Sequence, residues 1–176
     1  MAEFNQNHFA LFGLPEQFAL DSTSLDQNYR RLQSEVHPDR FASASPHERL
    51  HSLQIATQVN DAYATLKNPT ARARYLLQLQ GVDTQEESNT AMPADFLMLQ
   101  MEWREAIAEA SEAEDIPALE HLLKTIRLEA KVLQEQLHIA LDENKALHEA
   151  SAAVRKLAFI DKVRADIEQA IIKLED

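Results

Sequence analysis

The chain has 176 residues, enough for one domain or two small ones, and its 45% content of hydrophobic residues is sufficient for a packed core. It contains no cysteine, which excludes disulfides, thiolate metal sites and iron-sulfur clusters held by Cys ligands of this chain. A formal net charge of -12 argues against binding of nucleic acid, because that binding depends on Lys and Arg side chains that neutralise phosphates.

The composition favours an all-helical fold, because good helix formers dominate and only two Gly and six Pro occur. Residues 1–14 lack the basic start and long apolar run of a signal peptide, and no stretch has the ~18 apolar residues of a membrane span. We therefore expect a soluble cytoplasmic protein.

The acidic charge is concentrated in the second half of the chain. Residues 1–81 contain seven basic and eight acidic side chains, whereas residues 82–176 contain ten basic and twenty-one acidic ones. Two halves with such different electrostatics suggest two different partners.

The first half predicts two long helices around a short loop. Asp21 can cap the first helix, which should end at His37 because Pro38 disfavours helical geometry in the residue before it. Ser45 can cap the second helix, with Glu48 completing a capping box. Apolar positions at helical spacing are Leu25, Tyr29, Leu32 and Val36 in the first helix and Ala56, Val59, Tyr63 and Leu66 in the second.

A domain boundary is predicted after these helices. Asn68-Pro69 opens a short helix that ends at Gly81, a residue suited to the left-handed conformation after a helix. Residues 82–93 are polar and aperiodic, so we interpret them as a linker between a first domain, 1–81, and a second, 94–176.

The second half predicts a three-helix bundle with short connections. The helices should span about 94–110, 116–141 and 144–174, with Asp115 capping the second and a tight reversal at 142–144. The apolar stripes of the last two helices are Leu119, Leu122, Ile126, Leu133 and Leu137, then Ala153, Leu157, Ile160, Ile167 and Ile171.

The tripeptide His37-Pro38-Asp39 lies in the loop between the two long helices of the first half. With YRRL before it at 29–32 and VNDAYATL after it at 59–66, it resembles the J domain, the module that stimulates ATP hydrolysis by DnaK-class chaperones. The resemblance implies a chaperone-binding site formed by Arg30, Arg31, His37, Pro38, Asp39 and Arg40.

Other interpretations of these residues stay open. Pro38 could simply end a helix with His37 incidental, and the two arginines could belong to an ordinary solvated face. An enzyme could use His37 and Asp39 as an acid-base pair, but no nucleophile, oxyanion donor or glycine-rich turn accompanies them in the sequence. We therefore expect no enzymatic activity.

Nearly the whole chain resembles one family of J proteins, HscB of bacterial iron-sulfur cluster assembly. The glycine-rich stretch and cysteine repeats of a DnaJ-like protein are missing. Arg40 stands where Lys is often found, and the Cys-rich extension of eukaryotic members is absent, which points to a bacterial-type member. The resembling segments are HPDRFAS at 37–43, RARYLLQLQG at 72–81, FLM at 96–98 and VRKLAFIDKV at 154–163.

This resemblance implies an L-shaped, all-α protein with an N-terminal J domain and a C-terminal three-helix bundle. The bundle would bind the iron-sulfur scaffold IscU, and the J domain would stimulate the ATPase of HscA. The protein would act as an adapter that delivers the scaffold to the chaperone.

The predicted helix 94–110 has two different faces. Phe96, Leu99, Trp103, Ile107 and Ala110 occupy one face, which should be the bundle core. The opposite face mixes apolar and acidic residues, which is unusual for a solvated surface. Matching it to the scaffold-binding strip of the family gives Leu97, Met98, Met101, Glu102, Arg104, Glu105 and Glu109, together with Phe159.

Each part of this strip has a simpler alternative. The apolar side chains could pack against the J domain or the linker, the glutamates could serve solubility alone, and Phe159 could lie at the edge of the core.

The strongest rival function is a general J-domain holdase that binds unfolded clients through its bundle and has no role with iron-sulfur clusters. Charge reversal at Glu102 and Glu105 would separate the two. His47 and His51 lie four residues apart without an obvious third ligand, so we expect no metal and no cofactor. The oligomeric state stays open.

Overall fold

The structure, a computed structural model, describes residues 6–86 and 91–176. The chain divides into two compact units, Met1–Gln80 and Gly81–Asp176. In the described ranges all regular structure is helical. None of the helices in this part of the chain is long and apolar enough to cross a membrane.

The first unit is built around an antiparallel pair of helices with shorter helices packed against it. The pair is tied together where the first helix ends, because the buried Ser52 hydroxyl donates to the Val36 carbonyl oxygen at 2.9 Å. The elements are α1 (His8–Leu11), α2 (Ser22–Val36), a 3-10 turn (Pro38–Phe41), α3 (Pro46–Lys67) and α4 (Pro69–Leu79).

The predicted helix starts of this unit are confirmed. The Asp21 carboxylate accepts from the backbone N–H groups of Thr23 and Ser24, and Ser45 and Glu48 form the reciprocal capping box. Gly81 has φ +75, the left-handed conformation that the sequence indicated.

Helix α1 was not predicted from the sequence. Its residue Phe9 is buried with Phe12, and the His8 backbone N–H donates to the Tyr75 hydroxyl at 2.9 Å. Burying such a side chain contributes about 1.5–3 kcal/mol, so long-range packing stabilises a helix too short to be stable by itself.

An exposed polar network also joins the hairpin helices α2 and α3. Lys67 Nζ lies 2.9 Å from an Asp26 carboxylate oxygen, which also accepts from the Tyr63 hydroxyl at 2.8 Å. These hydrogen bonds, first from Lys67 and then from Tyr63, hold the pKa of Asp26 below its ordinary value. The Tyr63 ring stacks on Tyr29 with centroids 3.9 Å apart.

The second unit is a bundle of three helices whose predicted core stripes are largely buried. Leu122 and Ile171 are only half-buried, while Leu123, Ala130, Val154 and Val163 add to the core. The elements are α5 (Ala94–Glu112), α6 (Ile116–His138), a π turn (Ile139–Glu143) and α7 (Leu147–Glu175).

The predicted tight reversal at 142–144 is wrong. A wide turn connects α6 and α7, because the Asn144 backbone N–H donates to the Ile139 carbonyl and that of Ala146 to the Ala140 carbonyl. Helix α6 therefore ends at His138, whose ring nitrogen lies 2.9 Å from the Asp142 carboxylate. That hydrogen bond raises the pKa of His138 above its ordinary value.

The predicted linker, 82–93, includes residues 87–90, which lie outside the described residues. Its beginning belongs to the second unit. Thr84 is buried, and its carbonyl oxygen accepts from Arg155 Nη1 of α7 at 3.3 Å. This hydrogen bond holds Thr84 against α7.

Candidate functional site

The HPD loop, residues 37–41, is an exposed turn with its own internal hydrogen bonds. Pro38 takes the first position of the 3-10 turn, where its missing N–H leaves no donor without a partner. The Arg40 backbone N–H donates to the His37 carbonyl at 3.0 Å, and Arg40 Nη1 donates to the Ser34 carbonyl at 3.3 Å. The loop is therefore held to the end of α2 before any partner binds.

The His37 ring has different roles for its two nitrogens. Nδ1 accepts from the Asp39 backbone N–H at 3.2 Å and lies 3.6 Å from an Asp39 carboxylate oxygen. In the neutral ring, an accepting Nδ1 places the proton on Nε2, which is then a donor for another molecule. The side chains of His37 and Asp39 are 51% and 92% exposed, so both are accessible to a partner.

The loop and α2 together form an open basic depression. Arg30, His37 and Arg40 line it, with Gln33 and Ser34 between them. Arg31 is also exposed but does not line the depression, since adjacent residues on a helix are about 100° apart. The two arginines of this depression favour an acidic surface of a partner.

The docking strip, which comprises the residues predicted on α5 and Phe159, is accessible on its apolar side. Leu97 is 44% exposed, Met98 63% and Met101 71%. Of the predicted core face, Phe96, Trp103 and Ala110 are buried, whereas Leu99 and Ile107 are half-buried. Three large exposed apolar side chains on one helix face mark a candidate interaction surface.

The charged members of the docking strip are exposed too, and they lie on both sides of the apolar residues. At about 100° per residue, Leu97 and Arg104 lie along one edge of the strip and Glu102 and Glu109 along the other. Glu105 lies between Met101 and the acidic edge. The strip thus has one aromatic and basic edge and one acidic edge.

Phe159 joins the strip through two contacts with α5. Its ring meets the ring of Phe96 edge-on with centroids 6.1 Å apart, and the Arg104 guanidinium carbon lies 5.5 Å from the Phe159 centroid. Phe159 is half-buried, so it is both part of the bundle and part of its surface.

Comparisons with known proteins decide the family. A family model described as the HSCB C-terminal oligomerisation domain matches residues 92–168. The Co-chaperone protein HscB homolog of Paraburkholderia phymatum is 51% identical over 100% of both chains, and that of Chromobacterium violaceum is 52% identical over 99% of this chain and 98% of the relative. The chain belongs to the HscB co-chaperone family.

Solved structures of HscB proteins have the same fold. Chaperone HscB from Vibrio cholerae matches with a TM-score of 0.84 at 39% identity, covering 96% of this chain and 99% of that one. Human co-chaperone protein HscB matches with a TM-score of 0.88 at 30% identity, covering 95% and 83%. The predicted all-α fold class, a J domain followed by a helical C-terminal domain, is confirmed.

Three residues close to the two candidate sites were missed by the sequence analysis. Gln33 and Ser34 line the basic depression, and they are three and four residues after Arg30, the spacing of one helix face. Lys156 Nζ lies 5.5 Å from the Phe96 centroid, three residues before Phe159 on α7. Spacing relative to a predicted site residue is the signal that could have found all three.

Among the described residues, no group of three or more His, Asp or Glu side chains is arranged to hold a metal ion. His47 and His51 both lie on the exposed side of α3.

Proposed function

We propose that this chain is a two-ended adapter of iron-sulfur cluster assembly. Its C-terminal bundle would bind an IscU-type scaffold protein, and its J domain would present that scaffold to an HscA/DnaK-class chaperone and stimulate its ATPase. The chain itself would catalyse no reaction. It would act in the cytoplasm by binding one state of a partner more tightly than another.

The HPD loop carries this proposal. Exposed His37 and Asp39 offer a donor and an acceptor on a turn already fixed by backbone hydrogen bonds, so little conformational entropy is lost on binding. The basic depression beside them would meet acidic groups of the ATPase, with Arg31 and Pro38 completing the contact surface.

The docking strip supports the second half of the proposal. Leu97, Met98 and Met101 would be buried against the scaffold and supply most of the affinity, because apolar anchors dominate interfaces. Glu102, Glu105 and Glu109 would select a basic patch on the scaffold. Arg104 and Phe159 would form the opposite edge of the contact.

The rival function, a general holdase for unfolded clients, would use the same exposed Leu and Met side chains. The ordered acidic edge favours a specific scaffold, since promiscuous binding of apolar segments has no need of aligned glutamates.

The test is the steady-state ATPase rate of an HscA-class chaperone with this protein and an IscU-type scaffold. We expect stimulation by the wild type, a further increase with scaffold, and loss of stimulation in Asp39→Asn, which keeps the size of the side chain but removes its charge. Arg49→Ala, an exposed cation of α3, is the control. Absence of stimulation by the wild type would contradict the proposal.

We also propose weak self-association of the C-terminal unit as a separate property. The family description names oligomerisation for this region of the chain. A concentration series in the analytical ultracentrifuge tests it, and the ATPase assay does not depend on its outcome.

A further inference from the structure

Two cations of the second unit lie against aromatic rings. Lys156 Nζ is 5.5 Å from the Phe96 centroid, and the Arg104 guanidinium carbon is 5.5 Å from the Phe159 centroid. The two rings meet edge-on with centroids 6.1 Å apart. One cation therefore lies at each end of an aromatic pair. We name Lys156, Phe96, Phe159 and Arg104, in that order, the cation–aromatic row.

The charge of this row is not neutralised within the part of the chain that the structure describes. Elsewhere in the bundle, Arg127 Nη2 lies 3.5 Å from a Glu168 carboxylate oxygen. Neither Lys156 nor Arg104 forms such an ion pair with a described carboxylate, although residues 82–176 contain twenty-one acidic side chains and only ten basic ones. Two cations kept apart from carboxylates in so acidic a region favour an acidic group of a partner.

Lys156 is accessible to such a partner. It is half-buried, and it lines an open groove of about 340 Å³ between the end of α6 and the start of α7, together with Ile139 and Ala152. Glu149, two turns earlier on α7, also lines the groove but forms no ion pair with Lys156. None of the three N–H donors of the Lys156 ammonium is used by a described residue. They remain available three residues before Phe159 of the docking strip.

We infer that Lys156 is a specificity-determining residue of the docking strip and that its ammonium binds an Asp or Glu carboxylate of the scaffold protein. The inference rests on the proposed scaffold binding and adds a required acidic group on the scaffold. Glu102 and Glu109 form the other edge of the strip and select a basic patch. A scaffold rotated by 180° on the strip would bring like charges together at both edges, so only one orientation is favourable.

The experiment is isothermal titration of the full chain with an IscU-type scaffold at two salt concentrations. Lys156→Met removes the charge and keeps an unbranched side chain, and it should weaken binding about fivefold at ~0.1 M salt. At ~1 M salt the screening length is only ~3 Å, so this difference should largely vanish. Lys156→Arg should keep the wild-type affinity at both concentrations. Lys173→Met, the same change at an exposed position about 25 Å further along α7, is the matched control and should bind as the wild type does.

The salt dependence separates direct recognition from packing of Lys156 on Phe96. If Lys156 only held the Phe96 ring in place, the loss of affinity in Lys156→Met would persist at ~1 M salt, which would overturn the inference. The Trp103 ring lies edge-on to Phe96 with centroids 6.4 Å apart, so the Trp fluorescence spectrum reports a disturbed ring. That spectrum should be the same in Lys156→Met and in the wild type.

Double-mutant cycles identify the group that Lys156 binds. Each exposed Asp and Glu of the scaffold is changed to Asn or Gln and titrated against the wild type and Lys156→Met. One scaffold carboxylate should couple to Lys156, so that its removal abolishes the difference between the two proteins. If no scaffold carboxylate couples, a carboxylate partner is excluded.

The outcomes separate this inference from the proposed function. A wild type that does not bind the scaffold overturns the proposed scaffold binding and the role of Lys156 with it. A wild type that binds, with Lys156→Met equal to it at ~0.1 M salt, overturns only the role of Lys156.

Discussion

The HPD loop and the docking strip differ in how they are held ready for a partner. The loop is fixed by hydrogen bonds of its own backbone and the end of α2, and its recognition groups are polar. The strip is a helix face whose backbone is fixed by burial of Phe96 and Trp103 on the other side. A polar turn can stay accessible at little cost, whereas an apolar face can be exposed only on an element stabilised elsewhere.

The largest expected effects concern the separate stability of the two units. Ile126→Ala and Leu66→Ala each empty a fully buried site, one in each unit, and should cost about 2–5 kcal/mol of unfolding free energy. The single tryptophan, Trp103, lies in the second unit, so its fluorescence follows the unfolding of that unit. In urea, Ile126→Ala should lower the midpoint of Trp fluorescence and Leu66→Ala should leave it unchanged. An equal shift by Leu66→Ala would mean that the units unfold together.

A smaller effect is expected for the acidic edge of the docking strip. Reversing Glu102 and Glu105 together to Lys should weaken scaffold binding at least about tenfold, because a basic patch would then face like charge. The double reversal of Glu175 and Asp176 changes the net charge equally at the chain end and serves as control. Isothermal titration with the scaffold measures both.

Unchanged affinity in the Glu102 and Glu105 variant would favour the holdase. The variant should still stimulate the ATPase in the absence of scaffold, because the HPD loop is intact. ATPase stimulation that no longer increases with scaffold would show that the HPD loop and the docking strip have separate functions.

The smallest expected effect is a pH dependence confined to the first unit. The lowered pKa of Asp26 means that its contribution to stability is present above its ordinary pKa and is lost as pH falls through the lowered one. Lys67, whose pKa is raised mainly by the same hydrogen bond, loses its contribution as pH rises through that raised pKa. The wild type should therefore exceed Lys67→Met in stability at neutral pH.

Urea midpoints followed by circular dichroism across pH measure this difference, which should shrink at both extremes. Arg49→Met, on the same helix α3, should show no such profile. If the difference in urea midpoint between wild type and Lys67→Met stayed unchanged at pH values below those at which carboxyl groups titrate, Asp26 would be excluded as its origin.

Local chemistry explains which parts of the fold were predictable. Asp21, Ser45, Asn68 and Asp115 cap helices where the sequence placed them, because a cap depends on groups within three residues. The wide turn after α6 and the short helix α1 depend on contacts that no local pattern contains. The fold class was predicted from composition and helical spacing, and the core faces from periodicity. The ends of the helices were not all predicted correctly.

The sites show the same division. The exposure of Leu97, Met98 and Met101 could be predicted from the sequence, because these apolar residues lie on the helix face opposite the core face. The stacking of Arg104 on Phe159 joins residues 55 positions apart, and periodicity on either helix cannot predict that pairing. The roles assigned to both sites come from resemblance to the HscB family, which periodicity does not supply.

The arrangement of the His37 ring means that its two nitrogens can be imitated separately. In side-chain length, an Asn amide reaches about as far as Nδ1, which accepts from the chain's own backbone, and a Gln amide about as far as Nε2, which would donate to the chaperone under the proposed function. His37→Asn would thus preserve the shape of the turn without its outward donor, and His37→Gln the reverse. The two variants of this one residue would therefore separate the effect of the loop's conformation from the effect of its contact with a partner.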